Sequence, residues 1–265
     1  MLNFSANIST LFQELPLASR FPAATRAGFS AIEMWFPYEI ASKEVASLLA
    51  EYRLRCVGIN SPAGDIRAGD WGLAADPSKF EIFKRSAEQA IVYAQEIGCS
   101  NVHVMAGLIA PQADRKLAWD NYLQCIDFAC TLAAQASITV MIEPLNNIDR
   151  PRYLLNTQAQ ALEAIETLRK TNLRVMLDIF HLQRGEGNLI ERMKKSLPFA
   201  AHVQIADNPG RHEPGTGEVN FEAVFKALQD ANYSEYIGCE YLPLRTSEES
   251  FKWMANLRSV INLHS

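Results

Sequence analysis

The sequence predicts an α/β protein built as a closed (β/α)8 barrel, eight parallel strands ringed by helices. Short apolar runs of β-forming residues recur eight times in the 265 residues, and between most of them lies a longer stretch whose apolar residues follow helical spacing. The 48% hydrophobic content is enough for one large core, and α/β barrels of this length fold as single domains, so one domain over residues 1–265 is expected. A doubly wound open sheet is the competing arrangement. It is weakened by the lack of a G-x-G-x-x-G pattern after the first run.

The strand candidates in order are FSANI (4–8), AIEMWF (31–36), RCVGIN (55–60), NVHVMA (101–106), TVMIEPL (139–145), RVMLDIF (174–180), HVQIA (202–206) and YIGCEY (236–241). Helical spacing marks residues 42–53, 77–98, 114–135, 157–170, 220–232 and 247–261. Gly28 and Gly98 fall just after helical patterns, where a left-handed C-terminal cap is wanted. Two connections are longer than the rest: SPAGDIRAGDWGLAAD (61–76) after the third run and DNPGRHEPGTGEVN (207–220) after the seventh. Both leave the C-terminal end of a strand, the catalytic rim of a barrel, and are candidate substrate-covering loops.

Charge narrows the partners. With 25 Lys and Arg against 30 Asp and Glu, the net charge of −5 gives no global positive field for nucleic acid or an anionic membrane, so a small-molecule substrate is expected. The start, MLNFSANIST, lacks a basic segment followed by an apolar one, and no uncharged run reaches transmembrane length; a soluble, cytoplasmic protein is expected. Five cysteines without a C-x-x-C pair suit neither a disulfide framework nor a zinc knuckle. Cys239, beside Glu240, has no His nearby in sequence to make it a nucleophile. Zincin, serine-hydrolase and phosphate-loop motifs are absent.

Polar residues in apolar strands carry the chemical signal. Glu143, Asp178, Gln204 and Glu240 stand on the fifth to eighth runs at intervals of 35, 26 and 36 residues, each about one β/α unit, so they can converge at one level of the barrel mouth. A lone strand-end acid is ordinarily paired with an Arg or a helix N-terminus. Three carboxylates gathered at low dielectric must instead take up protons or share a cation. With one amide carbonyl they form a hard oxygen set that favours Mg2+ or Mn2+ over zinc. His181 lies three residues past Asp178 and cannot share its face if the strand continues. It is expected on the following turn, either donating to a substrate oxygen or packed on a loop carbonyl. His103, His202 and His264 read as structural. His212 stays open.

The segments IEPLN (142–146), LDIFHLQ (177–183), HVQIADNPGRHEPGTGEVN (202–220) and GCEY (238–241), with FSANIST, AGFSAIEMWFPY and SPAGDIRAGDWGLA nearer the start, resemble the hydroxypyruvate isomerase family. That family belongs to the xylose-isomerase-like group of TIM barrels, and the resemblance covers essentially the whole chain. It implies that Glu143 and Glu240 form the proton donor/acceptor pair and also bind the metal, with Asp178 and Gln204 completing the metal site. A His often stands at the Gln204 position in the wider group, so the amide here should favour Mg2+ or Mn2+. The implied reaction interconverts hydroxypyruvate and tartronate semialdehyde (2-hydroxy-3-oxopropanoate) through an enediolate. The 2-oxo-tetronate isomerases share the metal-site motifs, so a four-carbon hydroxy-oxo acid is the alternative substrate.

A non-catalytic sugar-acid binding protein and a metal-dependent DNA-repair nuclease are the remaining readings. The nuclease would need a basic face and clustered His ligands for several metal ions. Three acids around one divalent cation leave net negative charge, so the substrate carboxylate needs a cationic partner. Arg211 and His212 are expected to supply it, with His181 or Arg67 as substitutes. Nothing in the sequence indicates an oligomeric state.

Overall fold

The computed structural model describes residues 2–255. Eight strands pair in parallel and in chain order: β1 (Asn3–Asn7), β2 (Ala31–Met34), β3 (Arg55–Asn60), β4 (Asn101–His103), β5 (Thr139–Ile142), β6 (Leu173–Asp178), β7 (Ala200–Ile205) and β8 (Tyr236–Cys239). The barrel closes where β8 meets β1, Ala6 beside Cys239. The expected (β/α)8 barrel is therefore the observed one, and the open-sheet alternative is excluded.

The helices are α1 (Leu17–Arg26), α2 (Ser42–Glu51), α3 (Phe80–Ile97), α4 (Arg115–Gln135), α5 (Gln158–Leu168), α6 (Ile179–Gly185), α7 (Leu189–Ser196), α8 (Phe221–Asp230) and α9 (Ser247–Ser250). Several begin where a side chain can satisfy the free N–H groups of the first turn. Asp114 caps α4, Asn220 caps α8, and Thr157 with Gln160 forms a capping box on α5. Gly28 and Gly98 both take positive φ, as their places after α1 and α3 required.

Three helices escape the periodicity. Helix α1 carries an internal Pro22, α7 is a short charged segment, and α6 begins inside what reads as the end of the sixth strand. That strand stops at Asp178 rather than at residue 180. The expected last helix is seen as α9 and a helical stretch at 252–255; residues 256–261 and His264 lie outside the described residues.

Strand register sets the level of the site. Asp178 pairs directly with Gln204, and Gln204 pairs with Gly238, two residues before Glu240. Ile142 pairs with Val175, which puts Glu143 beside Met176, two residues below Asp178. Offsets of two preserve the face, so all four side chains can point to one end of the barrel. The five cysteines are buried and free, and burial pushes the Cys125 and Cys130 thiols up to about 12, which leaves them inert. Among the described residues no helix is long and apolar enough to cross a membrane.

Candidate active site

At the C-terminal ends of the strands lies a cavity of about 200 Å³ lined by Glu143, His181, Arg211 and Glu240, together with Trp71, His103 and Arg150. Asp178 and Gln204 are buried against these residues, 1% and 3% exposed.

Asp178 breaks the apolar pattern of its strand because it does two things. It ends β6 and caps α6: Oδ1 accepts the backbone N–H of Phe180 at 2.7 Å and of His181 at 3.4 Å. Oδ2 has no hydrogen-bond partner among the described residues, although it is buried. Because the chain turns helical at this point, a spacing of three brings His181 onto the Asp178 face instead of away from it. Its Nε2 lies 3.9 Å from Oδ2. The expected turn is replaced by the first turn of α6. The backbone N–H of Asn146 donates to His181 Nδ1 at 3.2 Å, so the proton of the neutral ring stays on Nε2. Burial, aided by Arg211 and Arg150, holds its pKa well below the ordinary value.

Glu143 and Glu240 each stand one residue beyond a strand, β5 and β8. Burial and then the nearby Asp178 and Glu240 charges raise Glu143 well above the usual carboxylate range. Burial pushes Glu240 up to about 8, against the opposing pull of Arg211. Glu240 Oε1 takes the Arg211 guanidinium at 2.5 Å, and Oε2 accepts from Asn7 Nδ2 at 3.1 Å and from Gln204 Nε2. The same Gln204 amide nitrogen also donates to Glu33 Oε1 at 3.0 Å. With its N–H groups committed to two carboxylates, the amide must point Oε1 elsewhere, and Oε1 has no partner among the described residues.

Glu33, Asn7 and His202 form the floor of the site, and sequence reasoning passed over the first two. Asn7 Nδ2 donates to Glu33 Oε1 at 3.1 Å, and the His202 ring is hydrogen-bonded to Glu33 Oε2. Glu33 interrupts AIEMWF just as Asp178 interrupts RVMLDIF, so the signal was available. The structural reading of His202 agrees with this support role. His103 does not fit the same reading. Strand β4 ends at His103 instead of continuing to residue 106, which puts the ring at the cavity, its Nδ1 3.2 Å from Asn60 Oδ1 and 3.8 Å from Glu143 Oε2. Burial pushes its pKa down to about 3, so it is a neutral ring.

The loop after β7 is folded around Asp207, whose carboxylate accepts the N–H groups of Gly215, Gly217 and Val219. It holds Arg211 at φ 56°, pinned by its N–H to Asp207 O and by Leu242 N–H to its own carbonyl, both 2.8 Å. The guanidinium so placed lies 3.6 Å from Asp178 Oδ2 and over the Phe180 ring at 5.2 Å, and its charge is already paired with two site carboxylates. His212 points away, donating from Nδ1 to Leu242 O at 2.7 Å. Neither His212 nor the exposed Arg67 is among the residues lining the cavity.

Ligand atoms from Glu143, Asp178 and His181 lie within 4.8 Å of one another. Asp178 Oδ2 and Gln204 Oε1 also lack hydrogen bonds among the described residues, although Oδ2 has the Arg211 charge nearby, and with the unfavourable burial of Glu143 these donors fit a divalent cation.

Comparison with known proteins identifies the family of the fold. The model of the xylose isomerase-like TIM barrel family matches residues 21–257. The 2-oxo-tetronate isomerase of Haemophilus influenzae is 36% identical over 253 residues, covering 96% of this chain and 98% of its own. The hydroxypyruvate isomerase of Escherichia coli is 36% identical over 254 residues with the same shares covered. A solved structure described as AP endonuclease, family 2, from Brucella melitensis superposes with a TM-score of 0.93 at 35% identity, covering 97% of this chain and 99% of that one. The order of the closed barrel, the polar residues gathered at its mouth and likeness over nearly the full length lead to one assignment: the chain belongs to the xylose isomerase-like TIM barrel family.

Proposed function

We propose that the protein is an isomerase that interconverts hydroxypyruvate and tartronate semialdehyde by moving a proton between C3 and C2 through an enediolate. The observation that carries this is the pair Glu143 and Glu240, two buried carboxylates with raised pKa values facing one small cavity. In the forward direction one carboxylate, ionised, takes a proton from C3; the other, protonated, gives one to C2. Burial raises both carboxylates above the ordinary range, which favours the protonated form that the donating partner needs. The hydroxyl at C3 becomes the aldehyde and the C2 carbonyl becomes the hydroxyl, so a proton must also pass between the two oxygens. The Nε2–H of His181 is the donor placed to hydrogen-bond the substrate oxygen that gains charge.

Glu143, Asp178, Gln204 and Glu240 would hold the divalent ion, with the nearby His181 keeping its Nε2 proton for the substrate, and these four oxygen donors favour Mg2+ or Mn2+. When bound, the ion supplies Lewis-acid stabilisation of negative charge on the substrate oxygens. Asp178 would offer Oδ2 while its other oxygen keeps the α6 cap, and Gln204 would offer the Oε1 that its bonds to Glu33 and Glu240 leave free.

The 2-oxo-tetronate isomerase of Haemophilus influenzae supports a second substrate, a four-carbon hydroxy-oxo acid isomerised by the same residues. A nuclease reading has less behind it: the chain carries net charge −5, and the described residues hold a single acidic and histidine cluster. Purified protein loaded with Mg2+ or Mn2+ and assayed against hydroxypyruvate and a 2-oxo-tetronate tests the proposal. Turnover of at least one is expected. Failure on both, with metal bound, would refute it.

A further inference from the structure

Two arginines among the described residues line the cavity, and they are in opposite situations. Arg211 is paired with Glu240 and Asp178. The Arg150 guanidinium makes no ion pair among the described residues; its one hydrogen bond runs from Nη1 to the carbonyl of Asp149 at 3.0 Å. The adjacent Asp149 carboxylate is not free to serve it, since Oδ1 takes Arg184 Nε at 2.9 Å and Oδ2 takes Asn146 Nδ2 at 3.0 Å.

Arg150 is nevertheless held firmly. Its guanidinium lies over the Trp71 ring at 3.6 Å from the centroid, a cation–π stack that fixes the plane of the fork and leaves its edge for a ligand. Both partners are built onto the same segment after β4. Gly72 bridges to Ala106 at φ 114°, and a Cβ there would meet the Met105 carbonyl oxygen at 2.5 Å, so only glycine allows the approach that carries Trp71 to the cavity. From the other side Leu108 bridges to Tyr153, and the Tyr153 hydroxyl accepts the Ala106 N–H at 2.9 Å, which anchors the loop carrying Arg150.

We propose that Arg150, stacked on Trp71, is the anchor for the substrate carboxylate and sets the preference for acid over neutral hydroxy-carbonyl compounds. The assignment rests on the isomerase reading of the same cavity. It moves the anchor from the expected Arg211 to a residue the sequence analysis did not single out. A carboxylate received there would complete a charge-assisted, bidentate pair that the protein itself leaves unmade. Burial and the like charge of Arg211 disfavour the Arg150 cation and the Asp149 charge offsets them only in part, so an anion at this place would supply the remaining compensation.

The test compares hydroxypyruvate with dihydroxyacetone, its counterpart in which a hydroxymethyl group replaces the carboxylate. In Arg150→Ala the ratio of kcat/KM for hydroxypyruvate to that for dihydroxyacetone is expected to fall at least about tenfold, chiefly through KM for the acid. A ratio taken within one preparation does not depend on how much of the variant folds. Arg150→Lys should recover part of the loss, because charge returns without the fork. Calorimetric titration of the metal-loaded protein with glycerate, an unreactive acid, separates this claim from the isomerase reading. If neither substrate turns over but glycerate binds wild type and loses about tenfold in Arg150→Ala, the anchor stands and the reaction does not. An unchanged substrate ratio and unchanged glycerate affinity in Arg150→Ala would overturn the anchor. Loss of both in Arg211→Ala alone would place it on Arg211.

Discussion

Glu143→Gln and Glu240→Gln should each lower turnover by at least about a hundredfold, the lower end of what a general acid or base contributes. Glutamine keeps an oxygen donor at the site but cannot exchange a proton near neutral pH, so the loss should appear in kcat with metal content largely retained. The two substitutions should also be far from additive, because the pair handles one proton relay. Single-turnover rates with the loaded variants check this, and near-normal turnover in either would place the base elsewhere. Glu240→Gln has a further consequence of its own. It removes the carboxylate that Arg211 and the Gln204 amide share, so a second effect on KM is expected in that variant only.

Metal removal should make stability strongly pH-dependent. Burial raises Glu143, Asp178 and Glu240, with Glu240 pushed up to about 8. A carboxylate whose folded pKa lies above its unfolded value adds stability that is full below the unfolded value, near about 4, and is lost as pH rises through the folded one. Chelator-treated protein should therefore melt at progressively lower temperature between about pH 5 and pH 8. Added Mg2+ or Mn2+ should reverse the loss, with a gain that grows with pH as the carboxylates it binds become charged. Asp178→Asn should remove much of that gain. Calorimetric scans across this range, with and without metal, read it directly; a metal effect independent of pH would mean that the ion does not sit on these acids.

The barrel could be read from the sequence because each layer repeats its own period, and the closed order follows once eight runs alternate with helices. Strand ends were less visible, and two site residues turned on them. A sixth strand extended to residue 180 separated His181 from Asp178, whereas the actual change to helix at Ile179 joins them. A fourth strand extended to residue 106 hid His103 in its middle. Glu143, Asp178, Gln204 and Glu240 were legible because acids and amides are costly in apolar strands unless something pairs with them. Glu33 and Asn7 gave the same signal near the other end of the chain. Their partners, Gln204, His202 and Glu240, become neighbours only when β8 closes on β1. The Trp71–Arg150 stack was beyond reach for a different reason: two loops meet there only because a third segment, 105–109, anchors both.

The most direct test of the central claim, proton transfer divided between Glu143 and Glu240, is the isomerisation of hydroxypyruvate by metal-loaded protein in deuterium oxide. Tartronate semialdehyde would be reduced enzymatically as it forms, so that its C2 cannot exchange afterwards. Carboxylates that exchange protons with solvent should deliver deuterium to C2, and magnetic resonance of the trapped product should show C2 deuterated in nearly every molecule. Product carrying protium at C2 that came from C3 without loss to solvent would indicate hydride movement between the carbons or one shielded base returning its own proton, and either would contradict a transfer divided between two carboxylates.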